Sequence, residues 1–457
     1  MAPSHMGSSS RQQTSGQNAP EGPLTGLAFP PIEQQELREE EARERRAEEE
    51  LRRAETEPGV GAGLTEVAVP PPIERERERL EPWATLESAE SRVSGPVGEV
   101  ERELSDFATA LYTVCYLIFF SIFGALARIG LRALTEYPGA PVVTGVLWAN
   151  VGGCLLMGFF AEDRNVFRQE WGLSPTKEKR PSHTPEESQR HKAIKKTIPL
   201  YIGLTTGFCG SFTSFSSFML DVFLALSNDL PNPNTPAIHP RNGGYSFTAL
   251  VAVILCTLAL SLMSLSFGAH LAAALDKFTP TIPFPFLRKL LDPAIVFLGI
   301  GCWIGSIFLA LFPPDRHLGP HEHWRGDAVF AVVFAPLGCL LRYYVSLSLN
   351  ARIPAFPLGT FAVNIFGTIV LGMCFDLQHA GTVVGVDRRV GCQVLSGVMD
   401  GFCGCATTVS TWVAELRSLR LRHAYSYGIA SLGVALAVLV VIIGSMRWTV
   451  GLDKPIC

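Results

Sequence analysis

Apolar windows long enough to cross a bilayer recur along this chain near 107–134, 141–161, 198–226, 246–275, 294–312, 328–349, 357–377, 391–416 and 426–446. Hydrophilic stretches separate them. The third and eighth windows carry nearly the same phrase: Gly207-Phe208-Cys209-Gly210 is followed by Ser and Thr up to Phe218, and Gly401-Phe402-Cys403-Gly404 is followed by Cys, Ala and Thr up to Trp412. Glycines and hydroxyl residues in the middle of a membrane-length apolar run predict a broken helix, because backbone groups freed there must find partners other than lipid. Such breaks usually mark an ion or substrate site.

The repeat extends upstream in fixed register. Gly124-Ala-Leu-Ala-Arg128 parallels Gly338-Cys-Leu-Leu-Arg342, and Asn150-Val-Gly-Gly153 parallels Asn364-Ile-Phe-Gly367, with 22 residues from Arg to Asn in both halves. The distance from Asn to the break glycine then differs, 60 residues from Asn150 to Gly210 and 40 from Asn364 to Gly404, and the excess falls in a hydrophilic loop. The nine spans thus group as four, one and four. Two four-helix repeats joined by a loop would point the same way, so the unmatched span at 294–312 inverts the second repeat. The fold expected is an all-α polytopic membrane protein: two inverted four-helix repeats at 107–275 and 328–446, joined by one linker transmembrane helix, with a broken third helix in each.

Residues 1–100 change the picture little. They are rich in Glu, Arg, Pro and Ser, include Glu74-Arg-Glu-Arg-Glu-Arg79, and read as a disordered cytosolic tail. No charged segment followed by an apolar stretch opens the chain, so no cleavable signal is expected and the first span serves as the targeting element. With the N-terminus inside, the cytosolic loops carry sixteen Lys and Arg against seven on the other side, which places the tail at 447–457 outside. A net charge of −4 says little about partners, and no basic patch interleaved with aromatics suggests nucleic acid, so none is expected.

Several candidate sites carry two readings at this level. The eleven cysteines, including the Cys403-x-Cys405 pair, lie mostly within spans and read as small packing residues rather than soft-metal ligands or a disulfide framework. His317, His321 and His323 share one short loop, with no further ligand group to complete a metal site. Arg128 and Arg342 sit near helix ends, either as snorkelling anchors or as an anion-attracting vestibule. Asn150 and Asn364 are mid-helix amides that either bond across helices or line a pore. Phe212, Phe215 and Phe218 form an aromatic stripe that is either core or a set of ring edges for an anion. Thr257 and Ser261, four residues apart, either bond back to their own helix or line a polar track. Asp221 and Asp400 are the carboxylates near the breaks.

Together these motifs resemble the Fluc (CrcB) fluoride channels, and the fused form with a linker helix is similar to the eukaryotic, especially fungal, FEX fluoride exporters. The resemblance covers about 107 to 446. It implies that Asn150 and Asn364 line the fluoride path, that Phe215 and Phe218 form an aromatic box, and that Thr257 and Ser261 form a hydroxyl track. Ser410 and Thr411 are also expected on the fluoride pathway. It also implies a central structural Na+ held by the backbone carbonyls of Gly210, Thr213, Gly404 and Thr407, with Arg128 and Arg342 near the vestibule. The second half departs from the pattern: its box positions are Val409 and Trp412, and its fourth helix offers Ser431 but Ala435. One competent and one vestigial pore are therefore expected.

The expected function is passive, fluoride-selective export across the plasma membrane by a single chain with pseudo-dimeric halves. Neutral HF enters from acidic surroundings and dissociates inside. The trapped anion leaves down an inside-negative potential that contributes about 2.3 kcal/mol per 100 mV. A coupled fluoride/proton antiporter is the alternative. No nucleotide-binding loop and no nucleophile–base constellation suggests an enzyme.

Overall fold

Apolar runs bounded by polar loops form helices throughout, and among the described residues there is no strand. The computed structural model describes residues 106–137, 140, 142, 145–168, 194–230, 242–312, 328–380 and 388–453, all within one compact unit. The expectations for the tail at 1–100, for most of the loop at 162–197 and for His317, His321 and His323 lie outside them.

The first helix, α1, runs Asp106–Thr135 and α2 runs Leu147–Glu162. The third segment begins as α3, Pro199–Ile202, widens to i→i+5 bonding over Gly203–Cys209, ends at Gly210–Phe212, and resumes after a break as α4, Phe215–Ser227. Then come α5 (Gly243–Ala274), α6 (Phe284–Leu311), α7 (Phe330–Leu349) and α8 (Leu358–His379). The second broken segment is α9, Arg388–Gly397 with a widened turn at Val398–Cys403 and Gly404–Ala406, followed by α10 (Ser410–Ser418) and then α11 (Leu421–Thr449). Widened turns of this kind concentrate at functional sites. Among the described residues, seven segments are long and apolar enough to cross a membrane, and α2 is a shorter apolar helix of 16 residues.

Two boundaries differ from those the hydropathy windows predict. The second helix starts at Leu147 rather than near 141, after a stretch with Pro141 and Gly145 that disfavours helix. The linker helix starts at Phe284, ten residues before the apolar window, through Arg288 and Asp292. Those charges interrupt a hydropathy count, but Arg288 donates to the buried Asp292 at 3.1 Å and the Tyr116 hydroxyl donates to the same carboxylate at 2.9 Å. The cysteine expectation also needs one amendment. Nine of the cysteines are free thiols, whereas Cys392 is disulfide-bonded.

The packing is reciprocal. Helix α2 lies along α5 as α8 lies along α11, α1 packs on α3 as α7 packs on α9, and α1 meets α7. The arms that follow the breaks cross over: α4 packs against α8 and α11, while α10 packs against α2 and α5. The motif glycines permit this closeness. A Cβ on Gly124 would stand 2.7 Å from the Phe208 carbonyl oxygen, and one on Gly338 would collide with the Phe402 carbonyl. One turn later, each Gly-x3-Arg arginine then reaches the broken segment.

Candidate functional site

Both breaks fall at a threonine in extended conformation, Thr213 at φ −90°, ψ 153° and Thr407 at φ −100°, ψ 150°. The arms beyond them need partners for their first N–H groups, and each half supplies the other's. The Thr213 hydroxyl accepts from the Val409 and Ser410 N–H groups at 3.2 Å each, and the Thr407 hydroxyl accepts from the Ser216 N–H at 3.0 Å. The two breaks thus meet and cap one another. Thr213 and Thr408 hydroxyls lie 3.0 Å apart, and the Ser410 hydroxyl lies 3.1 Å from that of Thr213. Ser410, expected on the fluoride path, therefore belongs to this capping network.

Arg128 and Arg342 do not reach an interface. Both are buried, 3% and 1% exposed, and their guanidinium groups bond the freed carbonyls across the two halves. Arg128 donates to Gly404 O at 3.0 Å, and to Ser211 O and Asp400 O. Arg342 donates to Cys405 O at 2.9 Å and to Thr206 O at 2.6 Å. Each arginine thereby ties its own half's break to the other's, which is a clamp in the interior rather than an exposed vestibule. The sequence placed them near helix ends; the close approach of α1 to α3 and of α7 to α9 turns them inward.

The two asparagines differ in what they leave open. Asn150 Oδ1 accepts from Ser214 N at 2.9 Å, as Asn364 Oδ1 accepts from Thr408 N at 2.9 Å. The Asn364 amide NH2 also donates to Thr408 O at 3.3 Å, whereas the buried Asn150 Nδ2 has no partner among the described residues. The same holds for the Ser261 and Thr411 hydroxyls and the Trp412 indole N–H, all fully buried. The Ser261 hydroxyl lies against the Cys154 thiol, a weak hydrogen-bond partner. These four donors sit on α2, α5 and α10, helices that pack on one another. Their counterparts are satisfied or missing: the Asn364 amide donates to Thr408 O, Ser217 bonds Ser214 at 2.9 Å, and Ala435 and Phe218 carry no donor. Buried polar groups are nearly always hydrogen-bonded; other unpartnered atoms, among them Arg128 Nε and the Thr206 and Ser211 hydroxyls, lie on other segments, and the four on α2, α5 and α10 are candidates to meet an acceptor.

Aromatic rings flank that row. Phe215 and Trp412, one from each half, meet edge to face with centroids 5.3 Å apart and planes at 68°, and Phe218 lies 6.0 Å from Phe215. Trp412, expected in the degenerate half, thus completes a ring pair with Phe215, while Val409 has no ring to offer Phe218. Thr257 is buried on α5, one turn before Ser261.

One buried carboxylate escaped the sequence reading. Glu415, fully buried on α10, accepts from Thr360 Oγ1 at 2.6 Å, Tyr427 Oη at 2.7 Å and Asn350 Nδ2 at 3.4 Å. The repeat register pointed to it: the offset that relates Gly210 to Gly404 also relates Asp221 to Glu415. Asp400, by contrast, pairs with Arg132 at 3.2 Å.

The oxygen atoms at the junction of the breaks are carbonyls and hydroxyls, and among the described residues no group of His, Cys, Asp or Glu could hold a metal ion. Neutral hard oxygens suit a hard monovalent cation. A carbonyl has two lone pairs, so Gly404 O can accept from Arg128 and still face an ion. The oxygen donors are of the kind the expected Na+ would need, but the Arg128 and Arg342 guanidinium cations already bond the Gly404 and Cys405 carbonyls at this junction.

The family model described as CrcB-like protein, Camphor Resistance (CrcB), matches residues 115–269 and 329–445, one segment on each side of α6. Fluoride export protein 1 of Neurospora crassa is 52% identical over 394 residues, covering 82% of this chain and 74% of that protein. Fluoride export protein 1 of Candida albicans is 37% identical, covering 73% of this chain and 79% of the relative. The fluoride-specific ion channel FluC of Geotalea daltonii is 38% identical over 118 residues, 25% of this chain but 87% of its own length. No solved structure matches the chain. A two-part family match and close relatives spanning most of both lengths agree with the duplicated motifs: this chain belongs to the CrcB family.

Proposed function

We propose that this chain is a passive, fluoride-selective channel that exports fluoride from the cytosol across the plasma membrane, with one competent and one vestigial pore. The observation that carries this reading is the row of four buried, unpartnered donors, Asn150 Nδ2, Ser261 Oγ, Thr411 Oγ1 and Trp412 Nε1, set beside the Phe215–Trp412 ring pair. A small, strongly hydrated anion loses its water only where donors replace it, and neutral amide, hydroxyl, indole and ring-edge donors do so without holding the ion as a fixed charge would. The two guanidinium groups lie at the break junction and are engaged with carbonyls, so they contribute positive potential without offering a trap. Thr257 extends the track by one turn.

The second route, past Asn364, Ser431, Ala435, Val409 and Phe218, offers no comparable row, and an ion entering it would lose water without replacement. The fusion of two repeats through α6 releases the chain from the symmetry a homodimer must keep. In this reading the repeats are antiparallel, in the 4+1+4 arrangement, with domains at 107–275 and 328–446. The polypeptide works as a monomer, its N-terminus cytosolic and the segment after α11 outside. A structural Na+ would rest on the carbonyls of Gly210, Thr213, Gly404 and Thr407 and draw the two breaks together, a task the arginine clamps share.

Coupled fluoride/proton antiport is the second reading, favoured by the buried Glu415. The oxygens of that carboxylate are engaged by Thr360, Tyr427 and Asn350, and Asp400 is ion-paired with Arg132, so passive conduction is the reading preferred here. Purified protein in liposomes tests both. Electrogenic fluoride efflux without chloride efflux, at a reversal potential set by fluoride alone, is expected; a reversal potential that moves with the proton gradient would establish antiport.

A further inference from the structure

Hydroxyls on the long helices of this chain mostly bond back to their own backbone, the usual resting place of such a group. Ser431 donates to Tyr427 O at 2.7 Å, Ser266 to Leu262 O at 3.1 Å and Thr368 to Asn364 O at 2.7 Å. Ser261, fully buried on α5, does not; its hydroxyl turns to the Cys154 thiol on α2. Cys154 is a buried free thiol, and it stands one turn beyond Asn150, whose buried Nδ2 has no partner among the described residues. We propose that the Cys154 thiol lines the fluoride route between Asn150 and Ser261, and that it is a binding site for mercury(II), at which a neutral mercuric salt blocks the route. With the four-donor row read as the ion path, on which this placement rests, Cys154 adds a soft sulfur to a wall of hard donors.

Packing around the pair fixes it in that wall. Asn150, Cys154 and Gly158 follow one another at helical spacing along α2. At Gly158 the backbones of α2 and α5 touch: a Cβ there would collide with the Leu265 carbonyl, and one on Gly268 would collide with the Leu155 carbonyl. One turn nearer the break, the Cys154 and Ser261 side chains meet where that backbone contact ends. Helix α10 packs on both helices, and Cys154 shares one buried apolar cluster with Phe215 and Trp412. The second half lacks the pair. The register that relates Asn150 to Asn364 relates Cys154 to Thr368, whose hydroxyl is spent on Asn364 O, and Ala435 stands where the first half has Ser261. A thiol is a weak hydrogen-bond partner, so it draws the Ser261 hydroxyl off its own helix and leaves its proton for an anion.

Thiolate sulfur selects soft metals. HgCl2 is a neutral molecule, so neither the membrane potential nor the buried guanidinium groups repel it. On reaction the S–Hg bond forms as one Hg–Cl bond breaks. The thiol proton and the chloride leave to water, and nothing is oxidised or reduced.

The test uses full-length protein in liposomes, treated with HgCl2 and freed of excess reagent. Fluoride efflux of the wild type is expected to fall at least about tenfold and to recover with dithiothreitol. Cys154→Ala, compared with its own untreated rate, is expected to keep its flux, whereas Cys115→Ala, which removes a likewise buried thiol on α1, is expected to be blocked as the wild type is. Bound mercury, measured by elemental analysis, reads the site without reference to transport. Cys154→Ala is expected to carry one equivalent less than the wild type, and fluoride is expected to slow uptake at Cys154 relative to gluconate. Cys154→Ser, which keeps a small polar side chain, takes the place of Cys154→Ala where the latter does not elute as folded. Efflux indifferent to HgCl2, a block that survives without Cys154, or equal mercury in variant and wild type would each overturn the assignment. A wild type that passes no fluoride would sink the channel reading instead, and the mercury difference alone would then decide whether Cys154 is reached from water.

Discussion

The two halves use the same asparagine in opposite ways. Both Asn150 and Asn364 cap the strand of extended backbone at a break through Oδ1, but the Asn364 amide also spends its NH2 on Thr408 O while Asn150 keeps its NH2 free in a buried place. The fourth helices differ too, since Ser261 carries a buried hydroxyl without a partner among the described residues where the equivalent Ala435 carries no donor. On the one-pore proposal, the second route is closed because its donors are satisfied or absent. Duplication followed by fusion lets one copy of a site become structural while the other stays available, and a hydrogen-bond inventory distinguishes them where motif matching treats them alike.

The largest expected effect breaks the ring pair. Trp412→Leu and Phe215→Ile should each lower fluoride efflux from liposomes at least about tenfold per folded protein, about 1.4 kcal/mol of barrier, whereas Val409→Ala should stay near wild type. Phe218→Ile sharpens the assignment. A loss as large as that of Phe215→Ile would show that the box follows one half of the chain and not the contact between halves, and equal losses at Val409 would mean two working pores. A buried Phe change also costs a few kcal/mol of stability, so rates must be referred to protein that elutes as folded.

Next in size is the asparagine pair. Asn150→Ala is expected to reduce efflux by about tenfold through loss of a donor to the ion, with a smaller cost in stability from the Ser214 N–H it caps. Asn364→Ala should do the reverse, leaving transport per folded molecule close to unchanged while lowering unfolding stability by about 1–3 kcal/mol as Thr408 loses two bonds. Thermal unfolding in detergent and flux in liposomes together read the crossover; transport losses of similar size would erase the distinction.

Capping across the halves gives a smaller, symmetric effect. Thr213→Val and Thr407→Val should each cost about 1–2 kcal/mol of stability, as loss of a helix N-cap does, with Thr213 the larger because it serves two N–H groups. A thermal shift equal to that of a surface Thr→Val would refute the role. The smallest effect is at the fourth helices: Ser261→Ala should slow efflux by a factor of about three, since a single neutral donor is worth about 0.5–1.5 kcal/mol, and Ser431→Ala should be silent in flux.

Much of this was written in the chain. The repeated Gly-Phe-Cys-Gly phrase, the fixed interval from Arg to Asn and the unmatched span at the centre determined the duplication, the two breaks and the residues that gather around them, because local composition and helical period report where a chain must leave regular structure. The boundaries of α6 were not legible, since Arg288 and Asp292 read as interruptions until their mutual bond removes the cost. Neither was the inward turn of Arg128 and Arg342, nor the meeting of Trp412 with Phe215, nor the disulfide at Cys392. Periodicity says which face of a helix a residue occupies but not which helix meets that face. Only the crossing of α4 onto α8 and α11, and of α10 onto α2 and α5, decided which donors would be satisfied and which left without a partner among the described residues.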